Sequence, residues 1–469
     1  MTAPQVTVID ALMGSGKTTL AIRMMDEIAS NWENLFEDGA HRFVYITPFL
    51  AETQRIKEKL GHYAGEQVAF DPKPKEGRKL LHLNEMIEEG RNIVATHSLF
   101  SYVNEETYAA LDTHSYTLLI DEVADWVERY PISSNDLRIL YAQGILTVEE
   151  RTRRVIWTDP EGGYHGKFED LRSLCRQGKM VASRFGIEGA PTLLLWQFPV
   201  EMLGKFREVF IFTHLFAGSD MAAYLRLHGV PVNMATIGRD GSLVEYDERI
   251  EQERLAEVRP LITVAQDRAL NDIGTRKGRS NPLSLSWFEV DLRNGGTRTE
   301  ALRKATYNFF RNKAGTSSRE NLWSTYKAVR SKLQGKGYGR SFEPCNSRST
   351  NKYRHRKSLA YLVNLYHHPF IRGYFLDAGA EVNEDMHALL TMTQWVWRSQ
   401  IRDKKPITIF VPSERMRTLF CNWLAGELPD ASLGGRLDCQ PDSKETEEVA
   451  VDGKQTAEIE DDGERLLYG

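Results

Sequence analysis

The sequence predicts an α/β protein with parallel sheets and helices packed on both faces, and three observations predict it. Short β-rich apolar runs alternate with helical stretches through the first half of the 469 residues. Most of these runs end on a polar residue. The first of them leads into a glycine-containing loop that opens a helix. The runs fall at residues 6–9, 43–47, 93–96, 118–121 and 209–213. In a parallel sheet of this kind the ligand lies beyond the carboxyl ends of the strands, so Thr47, Thr96, Asp121 and Thr213 should share one rim with the loop.

Boundaries follow from changes in pattern. Residues 1–239 form the first domain, with an insertion at about 151–199 marked by Gly162-Gly163 and Gly189-Ala190-Pro191. Residues 240–259 are charged and weakly patterned, a linker. A second domain spans 260–429, with a basic helical insertion at about 300–340. Amphipathic helices are predicted near 300–311 and 319–333, followed by a glycine-rich turn at 335–340. A long helix should end near Arg402, before a strand at 407–411 and a closing helix begun by Pro412 and Ser413. From 430 to 469 the chain is acidic and poor in apolar residues, a composition that predicts disorder.

Composition narrows the class. With 41% hydrophobic and 27% charged residues the chain is ordinary for a soluble globular protein. No apolar run reaches membrane-spanning length, and no signal core follows Met1. Four scattered cysteines without a CxxC pair argue for a reducing cytoplasm and against a zinc module or disulfide framework. The histidines show no metal-ligand spacing, and the adjacent His367 and His368 read as surface or packing residues. The net charge of −5 conceals an asymmetry. Residues 440–469 carry a net −7 and residues 268–357 a net +15, the latter interleaved with Trp287, Phe288, Tyr307, Phe309, Phe310, Trp323, Tyr326, Tyr338 and Tyr353. Basic charge mixed with aromatics suits a nucleic-acid groove, where phosphates are neutralised and bases stack.

The loop Ala11-Leu12-Met13-Gly14-Ser15-Gly16-Lys17-Thr18-Thr19 is a P-loop by pattern and context. Gly14 and Gly16 allow backbone N–H groups to turn inward around phosphate oxygens. Lys17 supplies charge for the β- and γ-phosphates, and the Thr18 hydroxyl can ligate Mg²⁺. Met13, Ser15 and Thr19 complete the nucleotide cradle. The run 116–122 is a buried-type strand ending in Asp121-Glu122, the acidic partner an ATPase needs. Asp121 would hold Mg²⁺ and Glu122 would orient the attacking water.

With both motifs in place the chain resembles the superfamily 2 helicases of DEAD/DEAH-box type, and among them the compact forms carried by bacteriophages. That resemblance implies two RecA-like domains with ATP and Mg²⁺ bound between them. Met13 to Thr18 resembles motif I and Asp121-Glu122-Val123-Ala124 resembles motif II. Thr47-Pro48 is similar to motif Ia and Thr96-His97 to the motif after it, both strand-contacting; Phe212-Thr213-His214 falls where motif III would. Cys345 to Asn351 is similar to motif V, which implies contacts from Arg348 and Asn351 to the bound strand. The run 394–402 is similar to motif VI, with Gln394, Arg398 and Arg402 as catalytic residues and the two arginines as fingers. On a continuous helix these three would stand at i, i+4 and i+8 and share a face. Ala124 and the four-residue arginine spacing depart from the family pattern and bear on how hydrolysis couples to motion.

The expectation is therefore a cytoplasmic, ATP-dependent helicase or translocase acting on nucleic acid, most simply single-stranded or forked DNA in replication. Two alternatives share the same motifs: a terminase-type packaging ATPase, and an ATP-switched clamp that binds nucleic acid without unwinding it.

Overall fold

A computed structural model of the chain describes residues 5–30, 41–63, 66–159, 164–183, 186–187, 190–191, 193–346 and 352–429. The acidic tail from 430 and the motif residues Arg348 and Asn351 lie outside the described residues.

The larger sheet has seven strands, in the order Leu243–Glu245, Val232–Ile237, Val6–Asp10, Glu208–Thr213, Ser115–Asp121, His41–Thr47, Ile93–Thr96. Every neighbouring pair is parallel except the edge strand Leu243–Glu245, which runs antiparallel to Val232–Ile237. Residues 116–120 of Ser115–Asp121 are buried without a break, as in a strand covered on both sides. Leu118 and Ile120 enter one core with Val6, Val8, Val209 and Ile211, while Leu119 enters another with Ile9, Tyr45 and Phe212. Successive side chains point to opposite faces, and each face has its own helices. The helix Lys17–Ser30 buries Leu20, Ala21, Met25 and Ala29 on one stripe against the second of these cores.

Register places the expected rim. Thr47 pairs with Thr96, Asp10 with Thr213 and Asp121 with Phe212, so the carboxyl ends of five strands meet along one edge. The α/β class with parallel sheets is thus as the sequence predicts.

Between Ser115–Asp121 and Glu208–Thr213 the chain builds a three-stranded antiparallel sheet from Val127–Arg129, Leu194–Gln197 and Met180–Ala182. Its separate core includes Leu137, Leu140, Trp157, Leu171 and Leu194, so it draws on residues before as well as within 151–199.

A smaller, wholly parallel sheet follows, in the order Ile262–Val264, Ile407–Phe410, Ser358–Tyr361, Asn321–Ser324. Here the sequence expectation needs correction. The segment 319–333 is not one helix: it is the edge strand Asn321–Ser324, a 3-10 turn at Lys327–Val329 and a short helix Arg330–Leu333. The basic–aromatic reading also changes. Phe309, Phe310, Trp323, Tyr338 and Phe342 are buried in one core on this sheet, and Phe288 joins them. Only Tyr307 of the nine aromatics is exposed. Those rings hold the sheet together rather than offering faces for bases, while Arg311, Lys332, Lys336 and Arg340 remain on the surface.

The two halves share their cores. Leu12 and Leu215 pack into the cluster around Leu359, Tyr361 and Ile409, and Phe375, Ala380 and Val382 pack into the cluster around Val8 and Ile120. The approach is close at Gly218, where an added Cβ would lie 2.6 Å from the Met386 carbonyl.

A candidate nucleotide-binding cleft

The P-loop leaves the carboxyl end of Val6–Asp10 and ends at the first residue of the helix Lys17–Ser30. Gly14 and Gly16 have φ of +86° and +100°, values at which any side chain would be strained. The backbone N–H of Ser15 donates to Leu12 O at 3.1 Å and that of Leu20 to Gly16 O at 2.9 Å, closing the loop onto the helix start. The Lys17 ammonium folds over the loop, donating to Ala11 O and, at 3.1 Å, to Leu12 O. Burial pushes it down to about 8, against the attraction of Asp10, Glu251, Glu122 and Asp121.

Asp121 ends its strand directly opposite. Its carboxyl is pushed up to about 7, first by burial and then by the neighbouring Glu122, with Tyr45 acting the other way. Glu122 has φ +64°, rare for a non-glycine residue, and its N–H donates to Phe212 O at 2.9 Å. The strand is thereby broken at the carboxylate pair, a strain of the kind held at functional sites.

Across the cleft stand residues from nearly 400 positions later. One cavity of about 260 Å³ is lined by Met13, Gly14, Gly16, Lys17, Thr18 and Thr19, by Asp121 and Glu122, and by Gln394, Trp397, Arg398 and Arg402. All three residues of the motif VI-like run are therefore brought to the P-loop. The expected continuous helix is not what does it. The helix Glu384–Val396 stops, Trp397 and Arg398 form a turn, and Ser399 caps a separate 3-10 helix Gln400–Asp403. Burial of Trp397 in that turn and of Ile401 in the 3-10 helix accompanies the break. Arg398 is buried, with its guanidinium 3.8 Å from the Glu343 carboxylate.

Several residues of this site carry no sequence signal. Glu251 sits on the helix Glu248–Val258, inside the stretch read as a linker, and accepts the Leu12 N–H at 2.8 Å. The same carboxylate takes the Thr236 hydroxyl at 2.6 Å and pairs with Arg254. Asp10 accepts the N–H groups of Leu215 and Phe216 at 2.7 and 2.8 Å, holding the turn after Glu208–Thr213 against the P-loop. Glu52, Arg55 and Lys59, from the helix Leu50–Leu60, line the cavity's outer side. His214 is buried, held well below its ordinary value first by burial and then by Lys17, and packs edge-on against Trp423, which meets Trp397. These rings connect the turn after Thr213 to the Arg398 segment.

The strand-contacting candidates are placed variously. Thr47 is fully buried and Pro48 half-buried, followed by the exposed Phe49 and Leu50. The Thr96 hydroxyl caps the helix His97–Ser101 by accepting the Leu99 N–H at 3.2 Å, and His97 is buried. Ser15 does not line the cavity, and its buried hydroxyl has no hydrogen-bond partner among the described residues.

The chain matches two family models, the YonV middle domain over residues 127–196 and the YonV C-terminal Rossmann-like domain over residues 256–424. It is 32% identical over 436 residues to the SPbeta prophage-derived uncharacterized protein YonV of Bacillus subtilis (strain 168), covering 90% of this chain and 99% of that one. It belongs to the YonV family. Among solved structures, this YonV-family chain overlaps the DUF1998 helicase MrfA bound to DNA and AMPPNP at TM-score 0.32 and 11% identity, over 91% of this chain and 49% of that one. The chain thus spans about half the length of that structure. It overlaps S. tokodaii Xpd4 at TM-score 0.38 and 10% identity, over 90% of this chain and 94% of that one. No helix among the described residues is long and apolar enough to cross a membrane.

Proposed function

We propose that this YonV-family chain is a nucleic-acid-dependent ATPase of the superfamily 2 helicase or translocase type, working in the cytoplasm. One observation carries the reading: Lys17 and Asp121-Glu122 share a single cavity with Gln394, Arg398 and Arg402. Phosphoryl transfer is accelerated chiefly by positioning and by neutralising charge that grows on the γ-phosphate. A cavity with a P-loop lysine on one side and two arginines on the other has the composition that chemistry requires.

On this reading Met13 to Thr19 cradle the triphosphate, Glu122 orients water, and Arg398 leaves Glu343 for the γ-phosphate. The donor set also fits Mg²⁺: the Thr18 hydroxyl and the buried Asp121 carboxylate, whose ionised form is disfavoured beside Glu122, gain from a hard cation. Bound there, the ion would offset the negative charge of the phosphates.

The two parallel sheets are taken as two RecA-like domains, 1–239 and 260–429, with 240–259 between them. The shared cores and the aromatic series from His214 to Trp397 supply a route by which nucleotide state alters their packing. Nucleic acid, most simply single-stranded or forked DNA, is assigned to the exposed Arg and Lys residues of 268–357 and to the Thr47-Pro48, Thr96-His97, Arg348 and Asn351 positions. Such contacts position a strand without reading its sequence.

The test is ATP turnover with and without single-stranded DNA, wild type against Lys17→Ala. Stimulation by DNA and a loss of at least ~100-fold in the variant are expected. Equal turnover in the two proteins would overturn the assignment.

A further inference from the structure

A second cavity, about 900 Å³, lies between the halves and touches Glu122 and Gln394 on one side. On its other side three metal-ligating groups converge: Asp220, His367 and His387, with one ligand atom from each lying within 4.8 Å of the others. They come from separate elements. Asp220 opens the helix Asp220–Leu227 just after the strand Glu208–Thr213, His367 precedes the helix Pro369–Asp377, and His387 lies on Glu384–Val396.

The hydrogen bonds orient the two rings. His367 Nδ1 is 3.2 Å from the His368 carbonyl oxygen, to which only a protonated nitrogen can donate. Its Nε2 is 2.6 Å from Asp220 Oδ1, so the ring is held between two oxygens. His387 adds a third ligand on the same side: its Nδ1 is 3.9 Å from the same oxygen, and the two rings lie 4.5 Å apart. Its Nδ1 is also 3.2 Å from the Gly218 carbonyl oxygen. A proton can tie only two of these groups together, whereas a metal ion engages all three.

We propose that Asp220, His367 and His387 form a site for a borderline divalent cation of the zinc class, open toward the 900 Å³ cavity. Two imidazoles and one carboxylate are a donor set that zinc and its neighbours accept, with a remaining position for water or a further ligand. The ion would clamp the 367–387 segment onto the turn that follows Glu208–Thr213. Hydrolysis at the P-loop does not enter the argument, so the two assignments fail independently.

The full-length, nucleotide-free chain is stripped with chelator and titrated with Zn²⁺, and separately with Co²⁺, whose visible absorption reports coordination number and ligand type. One equivalent bound in a four- or five-coordinate environment is expected, and Asp220→Asn or His387→Ala should weaken it by at least ~100-fold. Undiminished binding in both variants would overturn the site, as would a wild-type chain that takes up no equivalent. Should either variant misfold, wild type alone decides.

Discussion

Glu251 accepts a hydrogen bond from the backbone N–H of Leu12 at 2.8 Å, across 239 residues of sequence. A P-loop must hold its N–H groups in place before phosphate arrives, and this contact fixes the loop's first turn from outside. Removing the carboxylate leaves the Leu12 N–H, the Thr236 hydroxyl and Arg254 without their shared acceptor. Glu251→Ala should cost about 1–3 kcal/mol of stability, seen in denaturant unfolding, and raise the KM for ATP.

Arg398 is the group whose contribution should appear only as the transition state forms. Arg398→Ala is expected to lower kcat by roughly 10³-fold while leaving nucleotide affinity within a few-fold, since ground-state phosphates are held by the P-loop. Stopped-flow nucleotide binding beside steady-state turnover separates the two quantities.

Asp121 gives a stability signature in magnesium-free buffer. Its folded-state value of about 7 is above the ordinary carboxylate range. The native state therefore holds a proton that the unfolded chain has already lost, and this carboxyl lowers stability as pH rises from about 4 to 7. Asp121→Asn removes the penalty. The variant's melting temperature relative to wild type should be highest near pH 8 and fall toward pH 4.

Gly218 tests the contact between the halves. Its added Cβ would press on the Met386 carbonyl carbon and oxygen, both 2.6 Å away and both backbone. Gly218→Ala should destabilise the chain by about 1–3 kcal/mol, measured by thermal or denaturant melting, because neither backbone can yield without moving its helix.

Charge on the second half should act through phosphate contacts. Replacing Lys332, Lys336 and Arg340 with alanine is expected to weaken DNA binding uniformly across sequences. The slope of log K against log salt should fall by roughly one per lost contact. Basal ATP turnover without DNA should stay at the wild-type level.

The elements of the first half were legible because each is written locally. Alternation of apolar runs, glycines at 14 and 16, and an acidic strand end are decided by neighbours a few residues apart. The second half was legible only in part. The spacing at 319–333 suited a helix, yet Trp323 and its neighbours went into a strand, because the core around Tyr338 and Phe342 needed that ring. The Arg398 run likewise lines the cavity beside Lys17 without the continuous helix its spacing suggested, and Trp397 and Ile401 are both buried there.

The sequence by itself determined that this chain has parallel α/β architecture, a phosphate-type loop and a carboxylate pair at a strand end, because propensity and turn chemistry are short-range. Only the tertiary structure decided that Glu251 belongs to the P-loop, that Gln394, Arg398 and Arg402 face Lys17, and that Asp220 meets His367 and His387. Those meetings depend on how two sheets bury their faces against shared helices, and no window of sequence contains both partners.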